Sequence, residues 1–342
     1  MEYRTLGRSG LRVSTLCLGT MMFGGPTADD EAAAIVDSAR GAGVNFIDTA
    51  NSYTGGESER IVGRLIAHDR DAWILATKAG NPLPEMPAGG GVSRKWLLRA
   101  LEGSLSRLGT DYLDIWYLHR HDGVTPLEEI VSTMGEEVRR GRIRYWGFSN
   151  FRAWQACELV RLADMQGVPR PIVCQPHYNA LNRGAEAELF PACQHHGIGI
   201  APYSPLARGV LTGKYQPGEQ PDPDTRAGRG DKRMMEHEFR EDSLQMAQTI
   251  AAHAEKRGMT PTSFAIRWAL NSGNIHSIIA GPRTLAHWQS YLDALDGDFT
   301  AEDEALIDSL VPAGHASTPG FTDPKYPVIG RQPRMGGHQT AG

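Results

Sequence analysis

The sequence predicts an α/β fold, a single (β/α)8 TIM barrel, from three observations. Short apolar runs recur along the chain, each is followed by a polar turn, and each turn leads into a segment of helical periodicity. This alternation marks βαβ units and therefore parallel strands. Eight runs and eight helical segments over roughly 300 residues suit one closed barrel better than two successive open sheets, although a chain of 342 residues is long enough for either.

The elements follow in order. Leu16 to Leu18 leads to a helix over 29–42, opened by the capping oxygens and first-turn acids of Thr27 to Asp30 and closed by Gly43. Asn45 to Ile47 leads to 57–67, and Trp73 to Ala76 to 93–108, entered at Ser93 and ended at Gly109. Tyr112 to Leu118 precedes 127–140, where Pro126 occupies a position whose missing N–H costs nothing. Tyr145 to Phe148 leads to 151–165, stopped by Gly167, and Ile172 to Gln175 to 184–196, stopped by Gly197. Ile198 to Ala201 precedes 243–257, stopped by Gly258, and Ser277 to Ala280 precedes 284–295. The whole chain, 1–342, thus reads as one domain with a barrel core over about 14–311. Residues 2–13 form a hairpin turning through Arg8-Ser9-Gly10, placed to cap the N-terminal mouth. Residues 202–242 make a long excursion after the seventh strand, and 312–342 an irregular tail rich in Gly and Pro.

Composition narrows the function. Thirty-five Lys and Arg against forty Asp and Glu leave a net charge of −5, so no cationic field holds a nucleic acid. No apolar stretch approaches the ~18 residues of a membrane helix, and the start, MEYRTLGRSG, lacks the apolar run of a secretory signal. A cytoplasmic protein with neither nucleic-acid nor membrane partners is expected, and its oligomeric state is not encoded in a readable motif. Cys17, Cys157, Cys174 and Cys193 contain no CxxC pair, which argues against a disulfide framework or a zinc cluster.

Reacting groups of such a barrel lie at the C-terminal ends of its strands. The second strand is followed by Asp48-Thr49-Ala50-Asn51-Ser52-Tyr53, the third by Lys78, the fourth by His119, the fifth by Ser149-Asn150, and the sixth ends in Gln175 before His177. Hydride addition to a carbonyl leaves negative charge on oxygen, which needs a proton and nearby positive potential. Tyr53 is the candidate proton donor, with Lys78 lowering the pKa of its phenol, Asp48 keeping Lys78 charged, and a neutral His119 directing the substrate oxygen. Taken singly, each has an ordinary reading: a strand-end Asp-Thr is often a turn, and a lone Lys is usually solvated. Their assembly at one end of strands two to four favours the chemical reading. A metal-dependent barrel hydrolase is the rival, built on His119, His121, His177 and Asp122. The first strand, however, ends in Leu18-Gly19-Thr20-Met21 without a ligand, and His195-His196 suits a helix C-terminus, so no metal is expected.

Together the segments LGRSGLRVSTLCLGTMMFG, NFIDTANSYTGGESERIVG, ILATKAG, DYLDIWYLHRHD, YWGFSNF, CQPHYNALNR, APYSPLARGVLTGKY and IIAGPRT make the chain resemble the aldo-keto reductases. The resemblance spans nearly the whole chain and is to the branch of potassium-channel beta subunits and many bacterial reductases. It implies a catalytic tetrad of Asp48, Tyr53, Lys78 and His119, a small carbonyl or alcohol substrate, and NADP(H) bound without a GxGxxG fingerprint, which this sequence lacks after any strand. The implied cofactor contacts are Gly19, Thr20 and Asp48 at the first strands, then Ser149, Asn150 and Gln175 at the nicotinamide carboxamide, with Tyr203 stacked on its ring. Ser204, Pro205, Leu206, Gly209 and Lys214 match the pyrophosphate loop. Gly281, Arg283, Thr284 and His287 fall at a helix N-terminus, where Arg283 would fork onto the 2′-phosphate. At the adenine end the chain departs from the family's usual residues, with His287, Ser290 and Tyr291. The expected activity is NADPH-dependent reduction of aldehydes and ketones; the alternative is a nucleotide-sensing subunit with slow turnover. Met21, Met22, Phe23, Trp146, the loops near 79–92 and 202–242, and the tail are expected to form the substrate rim.

Overall fold

The computed structural model describes residues 1–82 and 89–328. The rest of the expected 79–92 loop and the end of the tail lie outside the described residues. In chain order the elements are β1 (Tyr3–Thr5), β2 (Arg12–Ser14), β3 (Leu16–Gly19), α1 (Asp29–Gly41), β4 (Phe46–Asp48), α2 (Glu57–Ile66), β5 (Ile74–Ala79) and α3 (Arg94–Leu108). There follow β6 (Leu113–Leu118), α4 (Leu127–Arg139), β7 (Ile143–Ser149), α5 (Ala153–Gln166), β8 (Val173–Gln175), α6 (Leu189–His196) and β9 (Gly199–Ile200). The chain continues through α7 (Lys232–His237), α8 (Glu241–Lys256), α9 (Pro261–Asn271), β10 (Ile278–Ala280), α10 (Leu285–Asp293) and α11 (Ala301–Leu310).

Eight parallel strands, β3 to β10, form one sheet with β10 beside β3. The sheet closes between β9 and β10, where the Ile279 N–H donates to the Pro202 carbonyl at 2.9 Å and that of His276 to the Ile200 carbonyl at 2.9 Å. The result is the (β/α)8 barrel. The strands alternate strictly: Cys17, Phe46, Ala76, Tyr117 and Val173 fill the interior, while Leu16, Ile47, Leu75, Trp116 and Cys174 pack under the helices. The hairpin of β1 and β2 seals the N-terminal end, with Leu6 and Val13 fully buried against the interior residues.

Two expectations about elements change. The helix expected over 184–196 is broken into a short 3-10 turn, Gly184–Glu186, and α6. Pro191 lies in the first turn of α6, and its ring would clash with the carbonyl four residues back if the helix began earlier. Three helices were not anticipated. Helix α9 carries strong start signals, with Pro261 in its first turn and the Thr260 hydroxyl accepting from the Ser263 N–H at 3.0 Å. Helix α11 opens on a capping box of Thr300 and Asp303, and α7 lies inside the long excursion, capped by Asp231. All four cysteines are free thiols. Among the described residues no helix is long and apolar enough to cross a membrane.

Candidate functional site

The interior parity of the strands sets which side chains emerge at the C-terminal mouth. Asp48 continues the inward row of Phe46, Lys78 that of Ile74 and Ala76, His119 that of Ile115 and Tyr117, and Gln175 that of Val173. Tyr53 arrives differently. It heads a tight turn, Tyr53–Gly56, in which Thr54, Gly55 and Gly56 all take positive φ, and the Thr54 hydroxyl donates to the Phe23 carbonyl at 2.8 Å.

These groups converge. The Lys78 ammonium is fully buried and donates to Asp48 Oδ1 at 2.5 Å, to the Thr49 carbonyl at 2.7 Å and to the Tyr53 hydroxyl at 3.3 Å. The second oxygen of Asp48 accepts from Gln175 Nε2 at 3.0 Å. The rings of Tyr53 and His119 meet edge to face at 5.9 Å between centroids. Asn81, which sequence reasoning missed, places its amide 3.1 Å from His119 Nδ1 and 3.1 Å from the Ser52 hydroxyl. Its only sequence signal is a position three residues beyond Lys78.

Burial dominates the proton affinities. It raises the Asp48 carboxyl despite the opposing pull of Lys78 and Gln175. Burial also works against the Lys78 ammonium, but Asp48 and Tyr53 outweigh it and hold the lysine above its ordinary value. Lys78 pulls the Tyr53 phenol down, as expected of it, but burial raises it by more, so the phenol lies above its ordinary value. His119 is pushed well below its ordinary value by burial, then by the nearby cations Lys78, Lys325 and Arg120, so its imidazole is neutral at pH 7.

A cavity of about 790 Å3 runs from this cluster across the mouth. Its walls include Gly19, Thr20, Asp48, Ser149, Asn150, Gln175, Tyr203, Ser204, Pro205, Leu206, Gly209, Lys214, Gly281, Arg283 and His287. Thr284 is not on its wall: its hydroxyl caps α10 by accepting from the His287 N–H at 3.2 Å. The N-terminus of α10 is partly engaged, since the Leu285 N–H donates to Glu31 Oε1 at 2.5 Å. At the other end of the cavity, the Asn150 amide donates to the His119 carbonyl and to Ser149 Oγ, both at 2.9 Å, and accepts from the Tyr203 hydroxyl at 2.8 Å. Ser149 Oγ in turn donates to the Gln175 carbonyl at 2.6 Å. These contacts lock the orientation of Tyr203. Among the described residues the non-glycine positions with positive φ are Thr54, Asn150, Ser204, Ala207 and Arg208, all on segments at this mouth. Backbone strain of this kind persists where surrounding structure imposes it.

Two expected rim residues lie elsewhere. Phe23 and Trp146 are fully buried in the outer layer, and the Trp146 indole donates to the Pro169 carbonyl at 2.7 Å. The even positions of β7 face the helices, so Trp146 points away from the mouth. The rim contains Met21, Met22, Arg208, Arg233, and, from the tail, Lys325 and Tyr326. The histidine set of the hydrolase reading is not assembled. His121 Nε2 is paired with the Thr125 carbonyl at 2.8 Å, Asp122 accepts from the Val92, Val124 and Thr125 N–H groups, and His177 pairs with Glu238 at 2.7 Å.

The cavity's chemistry suits a long anionic cofactor: an aromatic ring and amides at the reaction end, and Lys214, Arg226, Arg229 and Arg283 toward the other. Arg208 Nε is buried there without a hydrogen-bond partner.

The model of the aldo/keto reductase family matches residues 15–312. The chain is 37% identical over 303 residues to a probable voltage-gated potassium channel subunit beta of Arabidopsis thaliana, covering 86% of this chain and 92% of that protein. It is 34% identical over 324 residues to the L-glyceraldehyde 3-phosphate reductase of Escherichia coli O157:H7, covering 92% and 93%. It is 33% identical over 330 residues to an uncharacterized oxidoreductase, YrpG, of Bacillus subtilis, covering 93% and 98%.

Proposed function

We propose, from the premise that this chain belongs to the aldo/keto reductase family and is an oxidoreductase, that it reduces small aldehydes and ketones to alcohols with NADPH. The observation that carries the reading is the Lys78 ammonium, held between Asp48 at 2.5 Å and the Tyr53 hydroxyl at 3.3 Å. The reduced nicotinamide, when bound, supplies the hydride. Tyr53 then delivers the proton to the oxygen that gains charge, and the neighbouring Lys78 stabilises the phenolate left behind. Asp48 keeps Lys78 charged and aimed. His119, neutral at pH 7 and held by Asn81, directs the carbonyl oxygen toward Tyr53. Tyr203, fixed by Asn150, would offer an aromatic face to the nicotinamide, and Ser149 and Gln175 would hold its carboxamide. Lys214, Arg283 and the backbone of Ser204 to Gly209 would hold the phosphates, with Arg283 favouring NADPH over NADH.

The Arabidopsis relative, a probable channel subunit, motivates the second reading, a nucleotide-binding protein with slow turnover. Absorbance loss of NADPH with an activated aromatic aldehyde separates the two. Multiple turnovers support the reductase; tight NADPH binding without turnover across neutral and phosphorylated aldehydes would replace it with the sensor.

A further inference from the structure

Beyond Tyr203 from the reaction centre, His177, His237 and Glu238 form a second buried cluster that the reduction does not use. His177 follows β8 and its ring lies 5.3 Å from that of Tyr203; His237 ends α7 and Glu238 adjoins it. We propose that these three residues bind one zinc ion, which fastens the long excursion and the C-terminal tail to the barrel mouth.

The ligand atoms, two imidazole nitrogens and a carboxylate oxygen, lie within 4.8 Å of one another, and the side chains are 12%, 2% and 1% exposed. Two imidazoles and one carboxylate are a donor set that suits zinc, with a fourth position left for water. The geometry around His237 provides the second, independent observation. Its Nε2 faces Asp323 Oδ2 at 3.0 Å. Its Nδ1 is buried, has no hydrogen-bond partner, and faces Glu238 Oε1 at 3.5 Å. A cation placed between this nitrogen and the carboxylate would give both a partner. The outer contacts are those of a metal-binding histidine. Asp323 orients the far side of the His237 ring and is itself paired with Arg233, whose guanidinium grips both carboxylate oxygens. The tail enters the cluster through Asp323, two residues before Lys325, which lines the cavity. Metal binding also demands a proton balance. The hydrogen bond of 2.7 Å between His177 Nε2 and Glu238 must break, and the ring keeps its single proton by carrying it on Nδ1 while Nε2 takes the metal.

The test uses the full chain, stripped with a chelator and titrated with zinc sulfate by calorimetry, with elemental analysis after gel filtration. One zinc per chain is expected, with a rise in Tm. Glu238→Gln and His237→Gln should each lose that equivalent. Cobalt loading of the wild type, giving the visible bands of a tetrahedral site, reports on the cluster even if a variant fails to fold. A wild type that takes up no zinc would make His237 an imidazolium bridging two carboxylates and overturn the proposal. Zinc retained in both variants would place the ion elsewhere and overturn it equally. Neither result bears on the reductase reading.

Discussion

Lys78 and Asp48 form an ion pair at 2.5 Å with side-chain exposures of 0% and 2%, at the point where two neighbouring strands deliver inward-facing residues. A pair this deeply buried is not chiefly a stabilising device, because desolvation of both ions offsets most of their attraction. Its geometry leaves the ammonium free to reach Tyr53, and that is the use the proposed mechanism makes of it.

Lys78→Met removes one partner and leaves a buried carboxylate. We expect a stability loss of about 3 kcal/mol, the scale for breaking a buried pair, read as a lower urea midpoint. Reductase activity should fall at least about a hundredfold. Unchanged activity would remove Lys78 from the mechanism.

The pH profile of kcat/KM follows from the directions of two shifts. Tyr53 is raised by burial, so the phenol keeps its proton through neutrality and the alkaline limb should lie above about 10. His119 is depressed, so it stays neutral until the pH falls well below about 6.5. A flat profile between these limits is expected from steady-state rates. A limb centred near the ordinary histidine value would show that His119 titrates normally.

The barrel was legible in the sequence because its code is local: apolar runs, glycine stops and capping residues at the expected turns. The candidate site was legible for the same reason, since Asp48, Lys78, His119 and Gln175 lie on the inward rows of their strands. What escaped notice depends on chain segments far apart in sequence. Asn81 matters only because His119, thirty-eight residues away, places Nδ1 beside it. The approach of Lys325 and Tyr326 to the mouth rests on Arg233 and His237 holding Asp323, and on the Arg152 guanidinium donating to the Tyr326 and Pro327 carbonyls at 2.7 and 2.6 Å. Trp146 was misplaced by reading strand proximity without strand parity. Helix α9 was missed despite the Thr260-Pro261 signal, because a second helix before the eighth strand breaks the simple alternation.

Gly63→Ala tests packing away from the mouth. In an isolated helix the change would stabilise by up to about 1 kcal/mol. Here a Cβ would lie 2.3 Å from the Leu108 carbonyl oxygen, a backbone atom at the end of α3 that cannot swing aside. The steric term should win, giving a net loss of about 1–3 kcal/mol in chemical denaturation with little effect on KM. A stabilised variant would show that α2 and α3 can separate at this contact.

Arg283→Ala tests the cofactor preference. If its guanidinium meets the 2′-phosphate, KM for NADPH should rise at least about tenfold, the scale of a charge-assisted hydrogen bond, while KM for NADH changes little. Equal effects on both cofactors would assign Arg283 to the pyrophosphate or to structure, and Glu31 at the α10 N-terminus would then be the next residue to change.

Proton donation by Tyr53 is tested by the rate of NADPH oxidation with an activated aromatic aldehyde, wild type against Tyr53→Phe. Phenylalanine keeps the ring beside His119 and removes only the hydroxyl that Lys78 contacts at 3.3 Å. With Tyr53 as proton donor, kcat should fall at least about a hundredfold with NADPH binding retained. Equal rates in the two proteins would contradict it, because the proton would then come from a group other than Tyr53.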